Sequence, residues 1–179
     1  MVPEARLEQL PEGLGAEGPG WFVLNARDAR WWQREGLGRW ADLEGDGDFE
    51  QLGMRIAVLR PGEPSGMYHG ETGQEDFLVV SGECVLVIEG EERRLKAWDF
   101  VHCPPWTGHT FVGRGDGPCV IVTVGARTGD DEILYPVNEV AAKHGSSVEK
   151  ETPEPKEAYA PYPRDPLFTP YREGDLSDF

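Results

Sequence analysis

Two short segments of the chain carry side chains able to hold a metal ion. The first, residues 68–82, presents His69, Glu71 and Glu75 ahead of the apolar run Phe77-Leu78-Val79-Val80. The second, residues 103–112, presents His109 after Pro104-Pro105-Trp106-Thr107-Gly108. In an extended strand, residues two apart project from one face and lie about 6.6 Å apart along the chain, so His69 and Glu71 can point together into a barrel. Glu75 sits where a following strand can begin, and neighbouring strands are only about 4.8 Å apart, which lets its carboxylate meet the first pair. A turn at Pro104-Pro105 can deliver His109 from a strand on the facing side. Two imidazoles and two carboxylates in a semi-apolar interior would set like charges against each other and raise a carboxyl pKa, a conflict that a divalent cation relieves. The competing reading of the same four residues is a metal-free polar network. Glu71 is the member that can instead face solvent or an incoming ligand. The mixed nitrogen and oxygen donors suit Fe, Mn, Zn or Ni without choosing among them.

The elements that must position these residues are short. β-prone runs fall at 52–59, 76–80, 84–88, 100–103, 110–112 and 119–124, separated by Gly, Pro or charged turns at 60–62, 81–83, 89–91 and 113–117. That punctuation predicts an all-β sandwich or barrel. Phe77, Val79, Trp106 and Phe111 surround the candidate ligands and are expected as the apolar wall of a pocket; core packing is the plainer role for all but Trp106. Tyr68 should face away from His69 in a regular strand. His102 reads as a strand residue and His144 as part of a surface helix.

Outside that region the pattern changes. Residues 1–20, rich in Gly, Pro and Glu, predict a loosely held arm, residues 21–24 a short strand, and residues 28–40 a helix or irregular segment. Asn138 is placed to cap a helix over 139–144 that Gly145 ends. From residue 152 onward, six prolines alternate with Tyr159, Tyr162, Phe168 and Tyr171, which favours an extended strap on the barrel or on a neighbouring subunit. The chain thus divides into an arm (1–20), a barrel with an amino-terminal extension (21–126, motif core 50–126) and a tail (127–179).

The two ligand-bearing segments resemble the two signature motifs of the cupin superfamily. His69 matches the first histidine of the first motif, Glu75 its glutamate and Gly82 its closing glycine, while Glu71 stands in the second histidine's place. In the second motif Pro104 matches the proline and His109 the last ligand, whereas Trp98, Trp106 and Gly113 replace the expected glycine, glycine and asparagine. The resemblance implies a single double-stranded β-helix, or jelly-roll barrel, with short helical segments and extended terminal arms. It further implies one divalent metal held by His69, Glu75 and His109, with Glu71 completing the set or acting as a catalytic proton carrier. Dioxygenase-type or isomerase-type chemistry on a small molecule would follow, in a homodimer. A non-catalytic cupin that binds a metabolite or metal, or a structural dimer, is the alternative.

Composition narrows the partners. The 179 residues include 33 acidic against 17 basic side chains, a net charge of −16 that repels phosphate backbones and anionic headgroups, so neither nucleic acid nor membrane is expected. The start lacks the basic and apolar run of a secretory signal, and a cytoplasmic setting is expected. Cys84, Cys103 and Cys119 form no Cys-x-x-Cys pair and read as buried thiols. Residues 13–18 spell the glycine pattern of a dinucleotide-binding turn but have no preceding strand signal, and Pro19 interrupts any helix after them. Residues 42–53 open like a calcium loop but end on Gly53, where a bidentate carboxylate is required.

Overall fold

The structure, a computed structural model, describes residues 1–45, 47, 49–162 and 165–177. Its main body consists of strands whose apolar residues alternate. β5 (Leu52–Leu59), β7 (Glu75–Ser81), β8 (Glu83–Ile88), β10 (Phe100–Cys103), β11 (His109–Arg114) and β12 (Cys119–Ala126) coincide with the β-prone runs within one or two residues. A seven-stranded sheet runs in the order β10-β7-β12-β5-β4-β3-β14, with β3 (Trp31–Gln33), β4 (Arg39–Ala41) and β14 (Leu167–Thr169). Facing it is a three-stranded sheet, β11-β8-β9, with β9 at Glu91–Lys96. The core lies between them: Ala57, Leu59, Phe77, Val79, Cys119 and Ile121 from the large sheet meet Cys84, Leu86 and Phe111 from the small one. This is the expected all-β jelly roll. Its three cysteines are free and buried.

Turn chemistry fixes the register. Gly82, between β7 and β8, has φ +75°, and a Cβ there would stand 2.4 Å from the Pro118 carbonyl oxygen, so only glycine fits. Trp98 and Trp106, the residues standing where the family motif has glycine, also adopt left-handed backbone, with φ 76° and 67°. Each bears a strain on the order of 1–2 kcal/mol.

Three expectations outside the barrel need correction. The first 20 residues are not a loose arm: β1 (Arg6–Leu10) and β2 (Gly13–Glu17) form a hairpin, tied by parallel bridges from Glu4 to Trp21 and from Leu14 to Ala29. Its contact is backbone to backbone, where Gly13 lies so close that a Cβ would meet Ala29 at 2.6 Å; small residues permit this without any hydrophobic period. Residues 21–24 are extended but form no strand, and residues 28–40 contain no helix. They supply β3 and β4, whose register Trp32↔Trp40 joins them to β5. Of the calcium-loop look-alike, Asp46 and Asp48 lie outside the described residues.

β6 (Gly70–Glu71) pairs with β13 (Ile133–Leu134). Asn138 caps α1 (Glu139–Ala142), accepting from the Val140 and Ala141 amides at 3.0 and 2.9 Å. The tail is a strap. It contributes α2 (Pro155–Ala158), then β14 at the sheet edge, and returns over the barrel to bury Asp175, which pairs with Arg39 and, at 2.9 Å, with Arg60. Arg39 Nη2 also donates to Thr169 Oγ1 at 2.8 Å and to the Pro170 carbonyl at 2.6 Å. Among the described residues no helix is long and apolar enough to cross a membrane.

Candidate metal centre

His69 and His109 are directly paired across neighbouring segments: His69 N donates to His109 O at 3.2 Å and His109 N to His69 O at 2.9 Å. Being opposite one another, they place both imidazoles on one face, with ring centroids 5.0 Å apart. His109 thus opens β11, in the sheet facing that of Glu75, and lies directly beside His69. Glu75, the first residue of β7, points its carboxylate at the same spot, Oε2 lying 3.3 Å from His109 Nε2. The candidate ligand atoms of His69, Glu75 and His109 all lie within 4.8 Å of one another.

The orientation of the rings decides what they can hold. His69 Nδ1 lies 2.8 Å from the Met67 carbonyl oxygen, and His109 Nδ1 lies 3.0 Å from that of Thr107. A carbonyl only accepts, so each Nδ1 carries the proton and each Nε2 keeps a lone pair. This is the tautomer that a metal-ligating histidine needs, fixed by a partner on the ring's other nitrogen.

The electrostatics agree. Burial, and secondarily the neighbouring His109, push His69 down to about 4, while its bond to Met67 opposes the shift. Burial also lowers His109. Burial raises Glu75 to about 7, against the opposing charge of Arg55. Neutral imidazoles and a reluctant carboxylate around one point form a donor set suited to a cation.

Glu71 is not a member of that trio. Its carboxylate folds over Gly73, where a Cβ would sit 3.0 Å from Oε1. Burial, then the charges of Glu75 and Asp131, raise Glu71 to about 7, with Arg55 opposing. Of the expected pocket residues, Phe77, Val79 and Phe111 are sealed in the core, Phe77 with its ring 5.0 Å from that of His109 and 4.7 Å from that of Phe111. Trp106 is 48% exposed, its backbone nitrogen bound to the Glu71 carbonyl. Phe77 thus backs the centre against His109, Trp106 flanks it at Glu71, and Val79 and Phe111 belong to the core. Tyr68 is buried with Val87 and Ala141, away from the centre. His102 pairs with Asp76 on the outer face at 2.7 Å, and His144 with Glu92 at 2.9 Å.

Residues 55–125 match the model of the cupin domain family. Over those residues the chain carries a cupin domain. Three solved cupin-fold structures illustrate the likeness. A putative sugar phosphate isomerase from Acidithiobacillus ferrooxidans ATCC 23270 is 27% identical, with TM-score 0.46 over 48% of this chain and 56% of that one. A cupin-superfamily sugar phosphate isomerase from Silicibacter pomeroyi DSS-3 is 30% identical, with TM-score 0.47 over 60% of this chain and 66% of that one. A Cupin 2 conserved barrel domain protein from Salinispora arenicola CNS-205 is 22% identical, with TM-score 0.50 over 63% and 92%. This cupin therefore spans 56% and 66% of the lengths of the two isomerase structures. No protein with a curated description matches it.

Three residues near the centre escape a motif search. Tyr135 stacks beside His69 with centroids 5.8 Å apart and touches Tyr159 from the tail at 5.9 Å. Arg55 shares the face of β5 that carries the core residues Ala57 and Leu59. A charge breaking the inward alternation of a strand is a usable sequence signal for Arg55. Tyr135 and Tyr159 lie in the tail, and no local pattern ties them to His69.

Proposed function

We propose that this cupin is a metalloenzyme in which His69, Glu75 and His109 hold one divalent transition-metal ion and the barrel mouth admits a small molecule. The observation that carries the reading is the pair of Nδ1 contacts to Met67 and Thr107, which leaves two Nε2 lone pairs beside one carboxylate. A bound ion of this kind supplies Lewis acidity to a substrate carbonyl or hydroxyl, the requirement shared by isomerase-type and dioxygenase-type chemistry. The chain supplies the rest. Met67 and Thr107 fix the rings, Phe77 and Phe111 keep water from behind His109, and Glu71 carries a proton. Its place outside the trio but within the electrostatic reach of Glu75 supports that role.

Metal analysis of protein purified without added ions, followed by oxygen-uptake and isomerisation screens, tests the proposal. About one equivalent of metal and turnover lost in His109→Ala are expected. Glu71→Gln should keep its metal and lose turnover by about 10²–10⁴-fold. Bound metal without turnover would assign the chain to metabolite binding. We extend the proposal to a cytoplasmic homodimer. The edge strand β10, flanked by Trp98 and Phe100 at 70% and 64% exposure, offers the surface that a second copy would cover, and solution mass measurement tests it.

A further inference from the structure

The barrel core is sealed, but its mouth is not. A cavity of about 890 Å³ opens between the amino-terminal strands and the tail, within the size range of small-molecule pockets. Its floor continues the inner face of the large sheet: Trp32, Trp40 and Ala57 are paired directly across β3, β4 and β5, and Ala57 belongs to the core. The opposite wall is the tail, through Tyr159 and Tyr162. One wall of the cavity backs onto the candidate metal centre: the rings of Tyr159, Tyr135 and His69 follow one another at 5.9 and 5.8 Å, and the charge of Arg55, a lining residue, reaches Glu75.

The lining charge runs against that of the molecule. In a chain of net charge −16, the described lining residues include Arg34, Arg55 and Lys156 against the single acid Asp165. Arg34 lies over the Tyr159 ring at 4.8 Å. Arg55 forms no hydrogen bond or ion pair among the described residues; it is exposed, at the end of the β5 row that continues inward through Ala57 and Leu59. An exposed guanidinium bordering a cavity that two tryptophans and two tyrosines also line fits an anionic group attached to a flat apolar body.

We propose that this cavity is the substrate pocket of the metal centre and takes an aromatic carboxylate, its anion on Arg55 and its ring against the Trp and Tyr walls. The proposal rests on the metalloenzyme reading for the reaction that follows, while the pocket's selectivity is a property of the chain alone. Titration calorimetry on the full-length protein, metal-loaded and chelator-treated, tests it with benzoate, its neutral counterpart benzyl alcohol, and inorganic phosphate. Benzoate should bind both forms about tenfold or more tighter than benzyl alcohol or phosphate. Arg55→Gln should remove that advantage in the chelator-treated protein as well as in the metal-loaded one. Ala160→Trp, which fills the cavity from an exposed position, should abolish benzoate binding. Equal affinity for benzoate and benzyl alcohol, phosphate binding as tight as benzoate, or benzoate binding unchanged in either variant would overturn the assignment. The two readings separate cleanly: benzoate binding that depends on Arg55 in protein that never takes up metal would sink only the metalloenzyme reading, and metal uptake without benzoate binding would sink only the pocket.

Discussion

The molecule buries two clusters of ionisable side chains, and they are built on opposite principles. Around Asp175, whose side chain is 0% exposed, two guanidiniums meet the carboxylate, and a hydroxyl and a carbonyl accept from Arg39 Nη2. Desolvation lowers Arg39 nonetheless, opposed by Asp175. Around Glu75 two neutral imidazoles offer lone pairs to a carboxylate, and no Lys or Arg bonds to it among the described residues. The first cluster pairs its charges within the chain and holds the tail to the sheet, leaving only Arg39 Nε without a partner among the described residues. The second is left incomplete by the chain, as a site for an added charge must be. Burial alone therefore does not mark function; what marks it is burial whose electrostatic demand the protein itself does not meet.

The largest effect that could break this contrast is on the first cluster. Asp175→Ala should destabilise the fold by about 3–5 kcal/mol in denaturant unfolding, because it strands Arg39 without its counter-ion. A loss below about 1 kcal/mol would show that the clamp is dispensable. Next comes the second cluster's response to metal. Saturation at about one hundred times the dissociation constant should raise unfolding free energy by about 2.7 kcal/mol, and chelation should reverse the gain; no change in melting temperature after verified removal would contradict the proposed centre.

A smaller effect follows from pH. Metal must displace the proton from Glu75, whose carboxyl is raised to about 7, so apparent metal affinity should fall by up to about tenfold per unit as pH drops below 7. Affinity flat from pH 7.5 to 5.5 would contradict the shift. The smallest effect is the sharpest. Glu75 has a folded pKa above its unfolded value of 4.5, so its protonated form contributes stability that is present below 4.5 and lost as pH rises through about 7. Glu75→Gln should therefore stabilise the metal-free protein at pH 8, by about 0.5–2 kcal/mol, while abolishing metal uptake.

What could be read from the sequence follows from the range of the forces involved. Alternation within five to eight residues located β5, β7, β8 and β12, and the two motif segments offered His69, Glu71, Glu75 and His109, of which the structure holds the ligand atoms of His69, Glu75 and His109 within 4.8 Å of one another. β9 was missed because Glu91-Glu92-Arg93-Arg94 carries no apolar alternation and is a strand only through its pairing with β8. The Arg39–Asp175 pair spans 136 residues and leaves no local trace. The same is true of the cavity, half of whose wall comes from residues that look like a proline-rich tail. The hairpin over residues 6–17 is held by backbone contacts that a hydrophobic pattern does not encode.

The position of Asp175 in the chain also bears on how the protein is made. Arg39 emerges early, on a strand of the large sheet, and its partner is synthesised only after the last barrel strand, β12, which ends at Ala126. At roughly 5–20 residues per second, the ribosome takes a few seconds or longer to cover that interval. During it Arg39 has no Asp175 to meet, so the clamp can close only after the barrel strands have been made.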